Sequence, residues 1–327
     1  MENRGDILRR SASAESALGG GRLEWIDVAR GIGIIAVVAG HVWTGGAFRN
    51  ALYSFHMPLF FLLSGLLSRP QPVHRFALRQ LGSQMRPYAA FLALLIIADQ
   101  IIEPMKGQRP IFNYWPDDIV PILLGGSWLR GPYTIFWFVP CLMAARILFN
   151  ALLARWPDPL DRRWLIMIVP VTVAAYVVGE LAQASVLGLL TVPMAFVMLW
   201  IGAAWQQVRW RHWMWFPLSA VALAGLSGLL PTLNMKAADY GLPLLSLASA
   251  VATSLLIFRI SVHVAPHGGC LAAAGRASLV IMYLHVAVIH YLSPHLDELW
   301  LLLIALLLPI AAFYLLRASS VASRLFL

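Results

Sequence analysis

Long apolar stretches, separated by short polar, proline- or glycine-containing connectors, fill almost the whole chain after residue 22. A helix needs about 20 apolar residues to cross the hydrocarbon core of a bilayer. The pattern therefore predicts an all-α, polytopic integral membrane protein with about ten transmembrane helices. The predicted spans are approximately 26–46, 52–68, 87–103, 133–154, 164–180, 185–204, 214–230, 241–259, 278–292 and 298–316.

Composition agrees with this prediction. The 327 residues are 60% hydrophobic and 12% charged, which excludes an ordinary soluble domain and indicates a lipid bilayer as the surroundings. Cys141 falls in a predicted span and Cys270 in a short loop, so a disulfide framework is not expected. The net charge of +9 does not indicate nucleic acid, because the Lys and Arg residues lie in short loops between spans, as the positive-inside rule explains.

The charges also predict an orientation. With the N-terminus inside, 18 of the 24 Lys and Arg residues fall on the inner side, five fall outside, and Arg146 lies within the fourth span. This bias predicts cytoplasmic N- and C-termini and a multi-pass protein of a cell membrane, the bacterial cytoplasmic membrane above all. Segment 1–22 is polar and has no apolar core, so it is predicted to be a disordered cytoplasmic segment rather than a signal peptide. Residues 23–327 form the predicted transmembrane domain.

Two connectors are longer than simple turns. Segment 69–86 is predicted to be a basic inner loop, and segment 104–132 is predicted to be the longest outer loop, with room for a re-entrant turn or an acceptor-binding lid. No internal repeat relates the two halves of the chain.

Ionisable side chains stand inside the first predicted span, where they are costly and typically functional. Arg30 and His41 have ten residues between them, close to three helical turns, so both are predicted to lie on one face, about 16 Å apart along the axis. Asp27 precedes Arg30 by three residues and falls on the same side. Gly31 and Gly40 allow a neighbouring helix to approach closely.

Further motifs follow this pair along the chain. They are FHMPLFFLLSG (55–65), RFALRQLGSQMRPY (75–88), the aromatic segment 136–138 and GRASLVIMYLH (275–285). Together with the Arg30–His41 spacing, they resemble the acyltransferase-3 family of membrane O-acyltransferases, particularly its fucose 4-O-acetylase-like branch. Ala277 departs from the pattern, since members often carry Asn there.

The resemblance implies an O-acetyltransferase that moves an acetyl group from acetyl-CoA to a hydroxyl of a sugar in a cell-surface polysaccharide or glycolipid. The implied partners are acetyl-CoA, a carbohydrate or glycolipid acceptor, and the bilayer. Acetyl-CoA is then a donor substrate, and no permanently bound cofactor is expected. No metal site is expected either, because no ligand cluster surrounds His263 or His267.

Acyl transfer needs a base for the hydroxyl proton, stabilisation of the developing oxyanion and a grip on the polyanionic donor. His41 suits the first task, because an unperturbed imidazole titrates near neutral pH. Alternatively, His41 accepts the acyl group itself and passes it on. Arg30 is predicted to bind the donor phosphates or anchor the cavity, with Asp27 orienting it.

Two further groups of residues are candidates for binding. The predicted donor-binding residues in the basic segment are Arg75, Arg79 and Arg86. The candidate acceptor-binding residues are His56, Ser64, Trp137 and His285.

Each of these residues also has a simpler interpretation. Arg30 can reach the inner interface as an ordinary positive-inside residue, and a basic inner loop is common in membrane proteins. His41 can be a polar contact between helices, His285 can be structural, and Ser64 can serve helix packing. At the level of function, the alternatives are a secondary transporter of a small polar solute and an acyltransferase that uses a longer or dicarboxylic acyl group.

Overall fold

The chain folds as a bundle of helices in a computed structural model that describes residues 21–181, 184–208 and 210–327. The predicted N-terminal segment lies outside the described residues except for its last two, which begin the first helix. The α-helices are α1 (Gly21–Val42), α2 (Gly46–Tyr53), α3 (His56–Leu66), α4 (Val73–Met105), α5 (Ile119–Leu124), α6 (Phe138–Arg155), α7 (Arg162–Leu181), α8 (Val192–Trp205), α9 (Trp215–Leu226), α10 (Leu245–Val264), α11 (Gly269–Arg276), α12 (Ser278–Leu292), α13 (Glu298–Ala318) and α14 (Ser320–Phe326). Short 3₁₀ helices are Gly126–Trp128, Gly131–Trp137, Val186–Thr191, His212–Met214, Met235–Ala237 and Ala265–His267.

In the described part of the chain, seven helical stretches are long and apolar enough to cross a membrane. They are Glu24–Val42, Val73–Met105, Gly131–Arg155, Arg162–Leu181, Val186–Trp205, Leu245–His267 and Glu298–Ala318. The pair α11 and α12, bent by 79°, makes an eighth if it is counted as one span. Helices satisfy their own backbone hydrogen bonds, which lipid cannot do. The prediction of an all-helical, multi-pass membrane protein is confirmed.

The predicted number of ten spans depends on two short helices. α3 has 11 residues and α9 has 12, and each is therefore well below the roughly 20 residues that cross a bilayer unaided. Eight of the residues of α3 are buried, so this helix packs inside the bundle, where other helices replace lipid as its neighbours. Ten spans stay a prediction.

α1 and α11 cross at nearly backbone contact. A Cβ atom on Gly31 would collide with the carbonyl oxygen of Leu271, and one on Gly275 would collide with the carbonyl oxygen of Asp27. Small residues permit this approach in membrane bundles. The crossing confirms the packing role predicted for Gly31 and fixes the rotation of α1 beside Asp27.

α3 and α8 cross in the same manner. A Cβ atom on Gly65 would collide with the carbonyl oxygen of Leu199, and one on Gly202 would collide with that of Leu62. α3 is thereby held against the centre of the bundle, and its opposite side faces inward toward α1.

The predicted basic inner loop over 69–86 is wrong from residue 73 onward, because α4 continues without a break from Val73 to Met105. The helix has 33 residues and is therefore about 50 Å long. Residues 73–86 include Ala, Leu, Gln, Met and Arg, which favour a helix, and they contain no proline. Pro87 lies inside α4, although an interior proline removes one helical hydrogen bond. The arginines of this segment therefore lie along a helix.

The predicted outer loop that follows α4 is tied to the bundle by a buried carboxylate. Asp99 is fully buried and accepts hydrogen bonds from the Ile111 amide at 2.8 Å and from the Tyr291 hydroxyl at 3.0 Å. Glu103 lies 3.4 Å from His290 Nε2. Buried carboxylates require such partners. The loop is therefore fixed to both α4 and α12.

Replacing Gly275 by Val should destabilise the bundle, because the new side chain meets the backbone of α1. Overpacking of this kind typically costs about 1–3 kcal/mol. We expect a lower unfolding midpoint for the detergent-solubilised variant. Gly82→Val is the matched control, since nothing lies within 4 Å of a Cβ atom there. Equal midpoints for the two variants would contradict the backbone contact between α1 and α11.

Candidate active site

A central cavity of about 460 Å³ lies between α1, α3, α6, the start of α12 and the turn Met235–Ala237. This volume is within the range of roughly 300–1,000 Å³ that is usual for small-molecule sites. Half of the ten side chains predicted for the site line the cavity. These five are Arg30, His41, His56, Ser64 and Trp137.

A larger groove of about 720 Å³ lies elsewhere, lined by Trp25, Trp205, Trp215 and Phe258 among others. None of the ten predicted site residues lines this groove. Volume alone therefore does not locate the candidate site. The central cavity is the better candidate, because it gathers the ionisable residues of several helices.

One face of α1 forms a wall of the central cavity. Its contributions are Arg30, Ile34, Val37 and His41, spaced at intervals of three and four residues. This is the spacing of a single helical stripe, and it extends about 16 Å along the axis. The prediction that Arg30 and His41 share a face is confirmed. Asp27 lies outside the cavity lining but places its carboxylate 3.6 Å from the Arg30 guanidinium.

Three imidazoles and a phenol meet at the other end of this stripe. The ring centroids of His41 and His285 are 5.1 Å apart, those of Tyr53 and His56 are 4.6 Å apart, and those of His41 and Tyr53 are 6.2 Å apart. Gly40 makes room for Tyr53, since a Cβ atom there would lie 2.9 Å from the Tyr53 ring. His41 is therefore surrounded by groups that can exchange or orient a proton.

Backbone carbonyls fix the tautomers of the two neighbouring histidines. The Nδ1 atom of His56 lies 2.8 Å from the Leu52 carbonyl oxygen, and that of His285 lies 2.8 Å from the Ile281 carbonyl oxygen. A carbonyl only accepts, so each Nδ1 carries the hydrogen and each Nε2 of a neutral ring carries a lone pair. His285 Nε2 is buried and has no hydrogen-bond partner within the described structure.

His285 occupies a different place from the other candidates for acceptor binding. It is fully buried and lies behind His41 rather than among the residues that line the cavity. A buried lone pair beside the His41 ring is suited to orienting that ring. The motif around His285 predicted a role in the site, whereas the sequence did not predict how deeply this residue is buried.

Five cations line the central cavity, and no Asp or Glu residue of the described chain lines it. They are Arg30, Arg49, Arg146, Lys236 and Arg276. Arg276 is exposed and the other four are half-buried. Ionisable groups inside a membrane bundle normally serve a ligand or an ion pathway. The lining therefore favours anionic ligands.

The cations form two groups. Arg146 interacts electrostatically with Arg30, and Arg276 follows Gly275, which packs on Asp27. These three form the donor-side group (Arg30, Arg146 and Arg276). Arg49 and Lys236 are close enough to interact electrostatically with His41, and they form the His41-side group.

Four of these cations have no role in the predictions from the sequence: Arg49, Arg146, Lys236 and Arg276. Arg146 was the most accessible to prediction, because it is an ionisable residue within a predicted span. Arg49 and Lys236 looked like ordinary loop cations, and only the fold brings them together.

The three arginines predicted for donor binding lie outside the lining of the cavity. Arg75, Arg79 and Arg86 are exposed along α4. Gln84 is the residue of this helix segment that reaches the cavity. Arg79 donates to Gln71. Donor binding by these arginines stays a prediction.

The candidate membrane spans indicate an integral membrane protein, and its central cavity combines cations with an imidazole cluster. A family model described as an acyltransferase domain matches residues 23–318. The chain therefore belongs to this acyltransferase family and is a membrane acyltransferase. No curated protein and no solved structure matches it. The family membership supports the enzyme over the transporter alternative.

A thiol in place of Ser64 should sense the cationic field of the cavity. Cys141 is buried and Cys270 is exposed, so Ser64→Cys is made in a Cys270→Ser background. The measured quantity is the ratio of the modification rates with an anionic and a cationic methanethiosulfonate. We expect this ratio to be about tenfold higher at position 64 than at Cys270 of the natural chain, because a potential of a few kT changes the local reagent concentration by that much.

The control is Ser254→Cys in the same background. Ser254 is fully buried and does not line the cavity. Its thiol should react with neither reagent. A reagent preference at position 64 equal to that at Cys270 would show that the cavity carries no net positive field.

Proposed function

We propose that this acyltransferase moves an acetyl group from acetyl-CoA to a hydroxyl of a sugar in a cell-surface polysaccharide or glycolipid. The observation that carries the proposal is the α1 stripe, which brings Arg30 and His41 into one cavity lined by cations. A thioester donor with several phosphates and an acceptor hydroxyl are the substrates that such a cavity suits. The resemblance to the fucose 4-O-acetylase-like branch supports a sugar as the acceptor.

His41 is the proposed reacting group, and two routes are compatible with the geometry. As a general base, it takes the proton of the acceptor hydroxyl while that oxygen attacks the thioester carbonyl. The CoA thiolate then leaves and receives the proton. As a nucleophile, a ring nitrogen of His41 forms the acyl-imidazole and releases CoA, and the acceptor hydroxyl then takes the acyl group.

His285 is the proposed positioning residue for His41. Its Nδ1–H is held by the Ile281 carbonyl, which leaves Nε2 as an acceptor 5.1 Å ring-to-ring from His41. A small rotation of the His41 ring lets its N–H point at this lone pair. A third group that orients the base in this way is a recurrent feature of nucleophilic and acid–base sites. His56, Ser64 and Trp137 then contact the acceptor.

The donor-side group is the proposed anchor for the CoA phosphates. Arginine forms forked hydrogen bonds with phosphate oxygens, and Arg146 has a buried Nε without a partner in the described structure. Asp27 keeps Arg30 oriented from outside the cavity. Arg75, Arg79 and Arg86 are the competing candidates from the sequence for binding the CoA phosphates.

We also propose the topology that the charge bias supports, with ten spans, both termini cytoplasmic, and the bacterial cytoplasmic membrane as the location. In that orientation Arg30 lies near the cytoplasmic end of α1 and His41 lies three turns deeper. The donor-side group then faces the compartment that contains acetyl-CoA.

Replacing His41 by Ala should abolish transfer, since both routes need its imidazole. The measurement uses purified protein with radiolabelled acetyl-CoA, with and without a candidate acceptor. Label retained on the wild-type chain alone supports the acyl-histidine route, and CoA release only with acceptor supports the general base. Normal acetylation by a correctly inserted His41→Ala variant would contradict the proposed function.

Replacing His285 by Leu should lower kcat by about 10²-fold, the low end of the range for general acid–base contributions, with little change in KM for acetyl-CoA. His285→Gln keeps a hydrogen-bond acceptor and should restore part of the rate. If the Leu variant retains full kcat, or if both variants fail equally, His285 does not orient His41.

The donor anchor is tested by matched neutralisations. Arg146→Gln and Arg276→Gln should each raise KM for acetyl-CoA about tenfold or more, because a hydrogen bond to a charged group contributes roughly 1.5–3 kcal/mol. Arg75→Gln, Arg79→Gln and Arg86→Gln remove the same charge from positions outside the cavity lining, although Arg79 also interacts electrostatically with Arg146. A rise in KM confined to these three would assign donor binding to α4 instead.

A further inference from the structure

We propose that the acceptor itself carries an anionic group, a carboxylate or a phosphate ester on the sugar, which Arg49 and Lys236 bind beside His41. The inference rests on the proposed function, and it names the chemical class of the acceptor. The resemblance and the family membership leave this class open.

Arg49 is held next to the imidazole cluster. It belongs to α2, and its guanidinium carbon lies 4.0 Å from the centroid of the Tyr53 ring. That ring is packed against His56 at 4.6 Å and lies 6.2 Å from His41. A cation stacked on an aromatic face keeps its hydrogen-bond donors free at the edge. Those donors are available to a ligand in the cavity.

Lys236 reaches the same end of the cavity from a rigid turn. The Thr191 hydroxyl donates to the Met235 backbone carbonyl at 2.6 Å. The backbone N–H of Asn234 donates to the backbone carbonyl of Asp239 at 2.8 Å. Lys236 Nζ donates to the Thr134 hydroxyl. The backbone contacts fix the turn, so the ammonium group is positioned before any ligand arrives.

Within residues 21–181, 184–208 and 210–327, no side chain neutralises either cation. In the described part of the chain, no carboxylate lies within ion-pair distance of Arg49 or Lys236, and none lines the cavity. Burial lowers the pKa of Lys236 below its usual value. Both cations are half-buried. A cation that is partly removed from water without a counter-charge loses hydration, and an anionic ligand would supply the missing charge.

The donor cannot supply it. The phosphates and the thioester of CoA stand at opposite ends of the pantetheine arm. When the thioester reaches His41, the phosphates lie with the donor-side group, about three turns away along α1. No charge of the donor is then left for the His41-side group. The acceptor is the remaining substrate, so it is the source of the second anion.

The test compares three acceptors that differ at C6, which carries a neutral hydroxymethyl group, a carboxylate or a phosphate ester: methyl glucoside, methyl glucuronide and the 6-phosphate of methyl glucoside. Transfer of radiolabelled acetyl from acetyl-CoA is measured with the full chain in detergent, at constant ionic strength. We expect kcat/KM for an anionic acceptor to exceed that for the neutral one by about tenfold or more. The anionic sugar with the higher kcat/KM shows whether the site prefers a carboxylate or a phosphate ester.

Arg49→Gln and Lys236→Gln should each lower kcat/KM for the anionic sugars more than for the neutral sugar, and so remove most of this preference. Arg109→Gln is the matched control, because it removes the same charge from an exposed position outside the cavity. It should keep the full preference. Equal kcat/KM for all three sugars in the wild type would overturn the proposal. An equal loss for neutral and anionic sugars in Lys236→Gln would also overturn it, and would assign the cation to oxyanion stabilisation.

A second measurement is independent of turnover. The unfolding midpoint is recorded with each of the three sugars, and separately with CoA, at equal concentration. Stabilisation by the anionic sugars alone, lost in Lys236→Gln, supports the proposal even if no sugar is acetylated. Equal midpoints with the neutral and anionic sugars overturn it. Failure of CoA to stabilise the chain counts against the proposed function instead, so the two ideas fail separately.

Discussion

The charge within the central cavity is the constraint on which the rest of the bundle depends. Moving a cation out of water costs several kcal/mol unless a partner charge, water or a ligand replaces its hydration. Arg30 has Asp27 at 3.6 Å, whereas no described carboxylate forms an ion pair with the half-buried Arg146. The cavity must therefore stay open to water or hold anions. A collapsed bundle would force these groups against apolar side chains.

Tight packing elsewhere keeps this cavity open. The glycines of α1 and α11 bring two backbones into contact on one side of α1, and those of α3 and α8 do the same for α3. Helices locked in this way cannot rotate or slide toward each other without steric collision. The α1 stripe therefore stays turned toward the cavity. The small residues act on function only through this rotation, since none of them carries a reactive group.

Local periodicity made part of this site predictable. Arg30 and His41 lie on one helix, so their spacing alone fixed their common face. Arg49 and Lys236 lie far apart in sequence, and no helical period connects them. The loop predicted over 73–86 was wrong for another reason. The arginines of this segment are typical of an inner loop, but its residues favour a helix and form the first part of α4. The multi-pass helical class followed from hydropathy, whereas the short helices α3 and α9 left the number of spans undecided.

The positions of the two cationic groups also restrict which hydroxyl can react. Arg49 is stacked on Tyr53 at 4.0 Å, and Tyr53 lies 6.2 Å from His41. An anionic group held at Arg49 would therefore lie only a short distance from the His41 imidazole. This distance leaves room for about one sugar residue. With the proposed anion at Arg49 and the proposed thioester at His41, the acetylated hydroxyl would lie on the sugar residue that carries the charge or on its immediate neighbour. In such a site the charge of the acceptor would serve as a positional guide as well as a source of affinity.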